Sequence, residues 1–269
     1  NAENIKKFWF YFSDDINIYD YFSTKQFEDD CNNIYNTINF KLHILRCIIN
    51  VPMMIFGFAA LTYIPLEQIK AIGFLSPILV VILSVIFLGE RIYLIRTFSL
   101  LLGFIGTLII LRPGFIEINI GVYMVLASAL LWSCVIIITK FMSKNDSAMT
   151  ILTFQYTFVT LFTLPLAIIY WNNPSFISLI YTLLAAIVGT VLHLCINNAY
   201  KLSDLSIIQP VWFTQLVFAS FLGFVIFGSL PDFFTWIGAI IVFISVLIIT
   251  YRENYLKKDI AKTSIPLKN

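Results

Sequence analysis

Charge is what this chain lacks most. Of its 269 residues, only 12% are Asp, Glu, Lys or Arg, roughly half the share of an ordinary soluble domain. With 59% hydrophobic residues, there is too little polar surface to cover a soluble core. That excludes a soluble enzyme and a disordered chain. The net charge of +2 is too small to mark a nucleic-acid partner. Histidine is scarce, and the four cysteines (Cys31, Cys47, Cys134, Cys195) have neither disulfide nor zinc spacing. Three of them fall in apolar runs, where a thiol behaves as a small hydrophobe. There is no Gly-x-Ser-x-Gly, no His-Glu-x-x-His and no glycine-rich loop ahead of a lysine. No catalytic residue, no metal and no cofactor are therefore expected, and no cleavable signal peptide is read.

What is there is a series of long apolar runs. A transmembrane helix needs about 20 apolar residues to cross about 30 Å of hydrocarbon. Runs of that kind cover 44–63, 71–89, 94–111, 120–139, 150–170, 176–199, 206–228 and 233–250. The breaks between them carry turn formers or charge, such as Glu90-Arg91, Asn172-Asn173-Pro174 and Pro231-Asp232. The roughly 10-residue alternation of barrel strands is absent, so the expected fold is an all-α, polytopic membrane helix bundle. Residues 1–40 differ: seven acids against three lysines and eleven aromatics, with no spanning run. They read as an interfacial amphipathic segment or a tail.

Basic residues are distributed unevenly. Counting breaks alternately, one side collects twelve (among them Arg46, Arg91, Arg96, Lys140, Lys144 and Lys201) and the other only Lys70 and Arg112. By the positive-inside tendency, both ends of the helical region are expected in the cytoplasm of a bacterial inner membrane.

The second half repeats the first at an offset of 139 residues. Phe74 matches Phe213, Gly89 matches Gly228, and Leu108-Ile109-Ile110 matches Leu247-Ile248-Ile249. Small residues exchange in register, Ser99 with Gly238 and Gly106 with Ser245. A repeat with an odd number of spans points its two copies in opposite directions, as in many secondary transporters. The parent pattern is five plus five helices and this chain carries three plus five, so the first two helices read as lost or replaced. The expected division is 1–41 without a span, 42–113 a partial first repeat, 114–252 a second repeat, and 253–269 a basic cytoplasmic tail.

The stretches Pro65-Leu66-Glu67, Leu75-Ser76-Pro77, Phe87-Leu88-Gly89-Glu90-Arg91, Arg112-Pro113-Gly114, Leu130-Leu131-Trp132 and Gln209-Pro210, in that order, resemble the EamA family of the drug/metabolite transporter superfamily. Within it the chain looks most like the branch that includes S-adenosylmethionine uptake transporters of intracellular bacteria. It departs from the family pattern at Ser229, where a second Gly-Glu turn would have Glu, and at Lys70, where a small residue is usual. The resemblance implies a carrier for a small-molecule substrate, working by alternating access between inverted halves. Other than the lipid bilayer and that substrate no partner is implied; a homodimer is left open. The alternative is a truncated, non-transporting remnant or a subunit that assembles with another membrane protein.

Six residues are candidates for substrate contact. Glu67 either faces the pathway, meeting a cation or a proton, or pairs with Lys70 one helical turn away. His193 reads as a proton relay or as a neutral residue bonded to another helix, with Asn197 four residues on. Gln209 and Gln215 flank Pro210, which frees a backbone carbonyl as binding-site helix breaks do; the alternative is helix-to-helix hydrogen bonding. Trp212, like Trp132 and Tyr156, offers a ring for a planar or cationic substrate or simply packs.

Overall fold

The computed structural model describes residues 34–91, 93–112, 119–171, 173–227 and 233–263. The acidic, aromatic stretch before residue 34, Pro113-Gly114, residues 228–232 and the side chain of Glu67 lie outside that description. Every regular element among the described residues is helical, and eight helical stretches are long and apolar enough to span a membrane. The first covers Phe40–Thr62, the second Gln68–Leu88, the third Leu94–Leu111 and the fourth Ile120–Met142. The fifth covers Ala148–Ile169, the sixth Phe176–Leu202, the seventh Leu205–Leu222 and the eighth Phe233–Arg252. Helices are what lipid demands, because every backbone polar group must find its partner within the segment.

Local chemistry sets where they start and stop. The Asn119 side chain accepts hydrogen bonds from the backbone of Gly121 and Val122. Ser147 and Ser175 cap the fifth and sixth spans through the amides of Thr150 and Ser178. The second span ends at Gly89, whose φ of 67° is in the left-handed region where glycine carries no Cβ penalty.

The internal repeat is visible in the packing. The third and eighth spans run antiparallel, touching where Gly106 faces Gly238 and where the Ser245 hydroxyl donates to the Ser99 carbonyl at 2.6 Å. Adding 139 to Gly106 gives Ser245, and subtracting it from Gly238 gives Ser99. One contact thus maps onto the other when the halves are exchanged, as a two-fold axis between oppositely directed copies produces. Phe74 and Phe213, themselves 139 apart, meet across that relation with ring centroids 5.8 Å apart. They anchor a buried cluster with Val81, Leu100 and Val242.

A second, polar tie joins the start of the first span to the turn between the fourth and fifth. Asp146 accepts from Thr37 Oγ1 at 2.9 Å, Asn39 Nδ2 at 3.2 Å and His43 Nε2 at 3.0 Å. The His43 ring lies on Phe154 at 4.6 Å. Removing the acceptor leaves buried donors unmet, each worth about 1–3 kcal/mol. Asp146→Ala is therefore expected to destabilise the protein by about 2 kcal/mol, read as a lower melting temperature in detergent; an unchanged melt would show that the tie contributes nothing.

Candidate functional site

The second and seventh spans, which carry Pro77 and Pro210, are broken at matching places, whereas the helices holding Pro52 and Pro165 run on unbroken. The second consists of the helix Leu66–Gly73 followed by Ser76–Leu83. The seventh consists of Leu205–Ile208, a tighter 3-10 turn over Gln209–Phe213, and a helix from Thr214. Hydroxyls take up carbonyls near the breaks: Ser133 Oγ donates to Ser76 O at 3.3 Å and Thr214 Oγ1 to Val211 O at 2.6 Å.

The breaks border two cavities. The larger, about 230 Å³, lies among the first, second, fourth and seventh spans. Gln209, Trp212 and Gln215 reach it from the seventh span, Trp132 from the fourth, and Lys70 and Pro77 from the second. The smaller, about 20 Å³, lies among the first, fourth, sixth and seventh. His193, Asn197 and Tyr200 border it from the sixth span and Arg46 from the first. Trp132 and Trp212 line both, so the two indoles stand between them.

The six candidates thus divide. Gln209 and Gln215 belong to the larger cavity, His193 and Asn197 to the smaller, and Trp212 to both. Of Glu67 only the backbone is described, in the first turn of its helix, three residues before Lys70. Tyr156 meets His193 edge-on, with centroids 6.4 Å apart.

Arg46 and Tyr200 join this set although their sequence context did not single them out. Arg46 counts with the basic residues on one side of the bilayer, at the start of the 44–63 run. It lies in the first span, 4% exposed, its guanidinium held by Gln155 Oε1 at 2.5 Å and by the Ile151 carbonyl at 3.4 Å. A cation inside an apolar run is by default a functional residue, and that was the available signal. Tyr200 follows His193 by seven residues and Asn197 by three, which puts all three on one helical face. Around the small cavity, Arg46 Nε and Asn197 Nδ2 find no hydrogen-bond partner, and the Tyr200 hydroxyl, beside the Trp212 side chain, donates to no acceptor. Gln209 Nε2, on the larger cavity, also has none.

Arg96 and Lys140, counted on the same side, likewise lie within spans and bind the turn between the sixth and seventh. Arg96 pairs with Asp204 at 3.0 Å and with the Ser206 hydroxyl at 3.0 Å. Lys140 donates to the carbonyls of Tyr200 and Ser203. Glu90, at the end of the second span, accepts from the amides of Leu205 at 2.9 Å and Ser206 at 3.2 Å. A carboxylate on the first amides of a helix satisfies orphan donors and complements the helix dipole. Together these contacts tie the second, third and fourth spans to the start of the seventh.

The model of the EamA-like transporter family matches residues 25–112 and 119–251. The chain belongs to the EamA-like transporter family. The first EamA match contains three of the eight spans and the second contains five. Among similar proteins, a riboflavin transporter of Vibrio cholerae is 32% identical over 81% of this chain and 74% of its own. An S-adenosylmethionine uptake transporter of Rickettsia prowazekii is 26% identical over 79% of this chain and 72% of its own. A pseudopaline exporter of Pseudomonas aeruginosa is 24% identical over 78% and 75%. One crystal structure superposes with a TM-score of 0.69 at 18% identity, covering 80% of this EamA protein and 78% of that chain, which supports the fold. The EamA protein is thus a multi-pass membrane protein of a transporter family.

Proposed function

We propose that this protein carries a small metabolite with a planar heteroaromatic ring across the bacterial inner membrane, by alternating access between its two halves. S-adenosylmethionine is the leading candidate. The observation that carries the reading is the larger cavity, about 230 Å³, where two indoles and two glutamines meet at paired helix breaks. Trp132 and Trp212 supply ring faces for stacking, while Gln209 and Gln215 supply donors and acceptors for ring nitrogens or hydroxyls. Relatives named for S-adenosylmethionine and for riboflavin both handle molecules of that kind. Glu67, in the first turn of the helix that precedes the break in the second span, is assigned the role of meeting a positive charge on the substrate. The contacts of Glu90, Arg96 and Lys140 are the ties that must open for release at their end of the bundle.

Uptake of labelled S-adenosylmethionine and of labelled riboflavin into proteoliposomes holding the purified protein tests this. S-adenosylmethionine is expected to accumulate and unlabelled excess to compete. Glu67→Gln is expected to lower its uptake at least tenfold, since a charge-assisted contact is worth about 1.5–3 kcal/mol. Unchanged uptake in that variant would remove Glu67 from the site. A folded protein that moves neither compound would favour a non-transporting subunit instead.

A further inference from the structure

We infer that the small cavity is a carboxylate subsite, in which Arg46, Asn197 and Tyr200 receive the acidic group of the substrate. The inference rests on the transport reading above and selects among its substrates. Arg46 is a permanent cation in the first span, and its side-chain contacts are an amide oxygen and a backbone carbonyl. The two ion pairs formed among the described residues involve His43 with Asp146 and Arg96 with Asp204, so no carboxylate in them neutralises Arg46. A buried cation at membrane depth is costly unless a counter-charge reaches it.

The donors left over are the ones a carboxylate needs. Arg46 Nε and Asn197 Nδ2 lack a partner and the Tyr200 hydroxyl, beside Trp212, donates to no acceptor; all three side chains are at most 4% exposed, and all three line the same space. An ionised carboxylate is acceptor-only, with about four lone-pair sites. It complements three donors that border one small space, one of them the guanidinium's own Nε, with charge-assisted bonds roughly twice as strong as neutral ones. The cavity of about 20 Å³ admits one oxygen of the carboxylate. The remainder of the substrate then extends past Trp132 and Trp212 into the larger cavity, which the same indoles border. The arrangement fits an elongated zwitterion with a ring at one end and an amino-acid carboxylate at the other. It leaves a neutral ring compound such as riboflavin without a partner for Arg46.

Three probes on the purified full chain, followed by tryptophan fluorescence quenching, test this: S-adenosylmethionine, its decarboxylated form, and riboflavin. The wild type is expected to bind S-adenosylmethionine 10- to 100-fold more tightly than the decarboxylated form, the range for a charge-assisted contact. Arg46→Gln is expected to erase that preference while leaving the affinity for the decarboxylated form unchanged within about twofold. Tyr200→Phe, which keeps the ring and removes only the hydroxyl, is expected to narrow the preference several-fold without lowering the melting temperature. Equal affinity of the wild type for the two forms, or tighter binding of riboflavin independent of Arg46, overturns the subsite and leaves transport standing; the cavity then holds a buried water only. An Arg46→Gln protein that folds but weakens both forms equally also overturns it. Failure of all three probes to bind the wild type overturns the substrate reading and this inference with it.

Discussion

Gly238→Val is expected to leave little folded protein. A Cβ at position 238 would lie 2.5 Å from Ile110 Cγ1 and 2.6 Å from the Gly106 carbonyl oxygen. The side chain can rotate away, but the carbonyl belongs to a helix backbone that cannot. From the opposite face, a Cβ at Gly106 would come within 2.9 Å of the Gly238 carbonyl oxygen. Two backbones in contact leave no slack to absorb a methyl group, let alone a branched side chain. Close-packed interiors resist added volume at a typical cost of 1–3 kcal/mol, and this site lies at the upper end. In lipid, where association depends on close packing rather than on a hydrophobic drive, we expect about 3 kcal/mol or more. The readout is monodisperse protein recovered in mild detergent and its melting temperature. Gly189→Ala is the control: nothing lies within 4 Å of a Cβ there, so its melt should match the wild type. A Gly238→Val protein as stable as the wild type would refute the tight crossing of the third and eighth spans.

Loss of a single indole has the second large effect. Trp212 borders both cavities and sits in the 3-10 turn that breaks the seventh span. If it supplies the stacking face, Trp212→Ala should lower the affinity for S-adenosylmethionine by 10- to 100-fold, since one ring-on-ring contact is worth about 1–3 kcal/mol by alanine replacement. Trp212→Phe, retaining a smaller ring, should lose less than half of that in logarithmic terms. The pair of variants separates stacking from wall-building: an alanine variant that binds normally would move the ring elsewhere, and a phenylalanine variant as impaired as alanine would point to shape rather than stacking.

The sites most exposed to error in a linear reading were the cations. Arg46, Arg96 and Lys140 each fall near the end of an apolar run, where a lysine or arginine ordinarily marks the water boundary. Instead the three lie within the spans, with side chains turned to carbonyls, amides or an acid on other helices. Sequence distance hides these partners: Arg96 and Asp204 are 108 residues apart. The linear pattern gave no hint of the His43–Asp146 tie either, because a lone histidine near an apolar run looks the same whether or not an acid waits across the bundle.

Apolar run length and the 139-residue register were legible before any coordinates, and they suffice for eight helices and for two related halves. The cost of bringing an unpaired backbone group into hydrocarbon makes run length decisive, and Pro210, which lacks the donor, marked one of the helix breaks, although Pro52 and Pro165 interrupt nothing. Which side chains share a cavity is a different kind of fact. Gln209 and His193 are similar prospects in the sequence, yet they border different spaces, and Trp212 joins them only because two broken helices cross there. Helix rotation and crossing are settled by contacts such as Gly106 against Gly238, and these couple residues too far apart in the chain for any local pattern to encode.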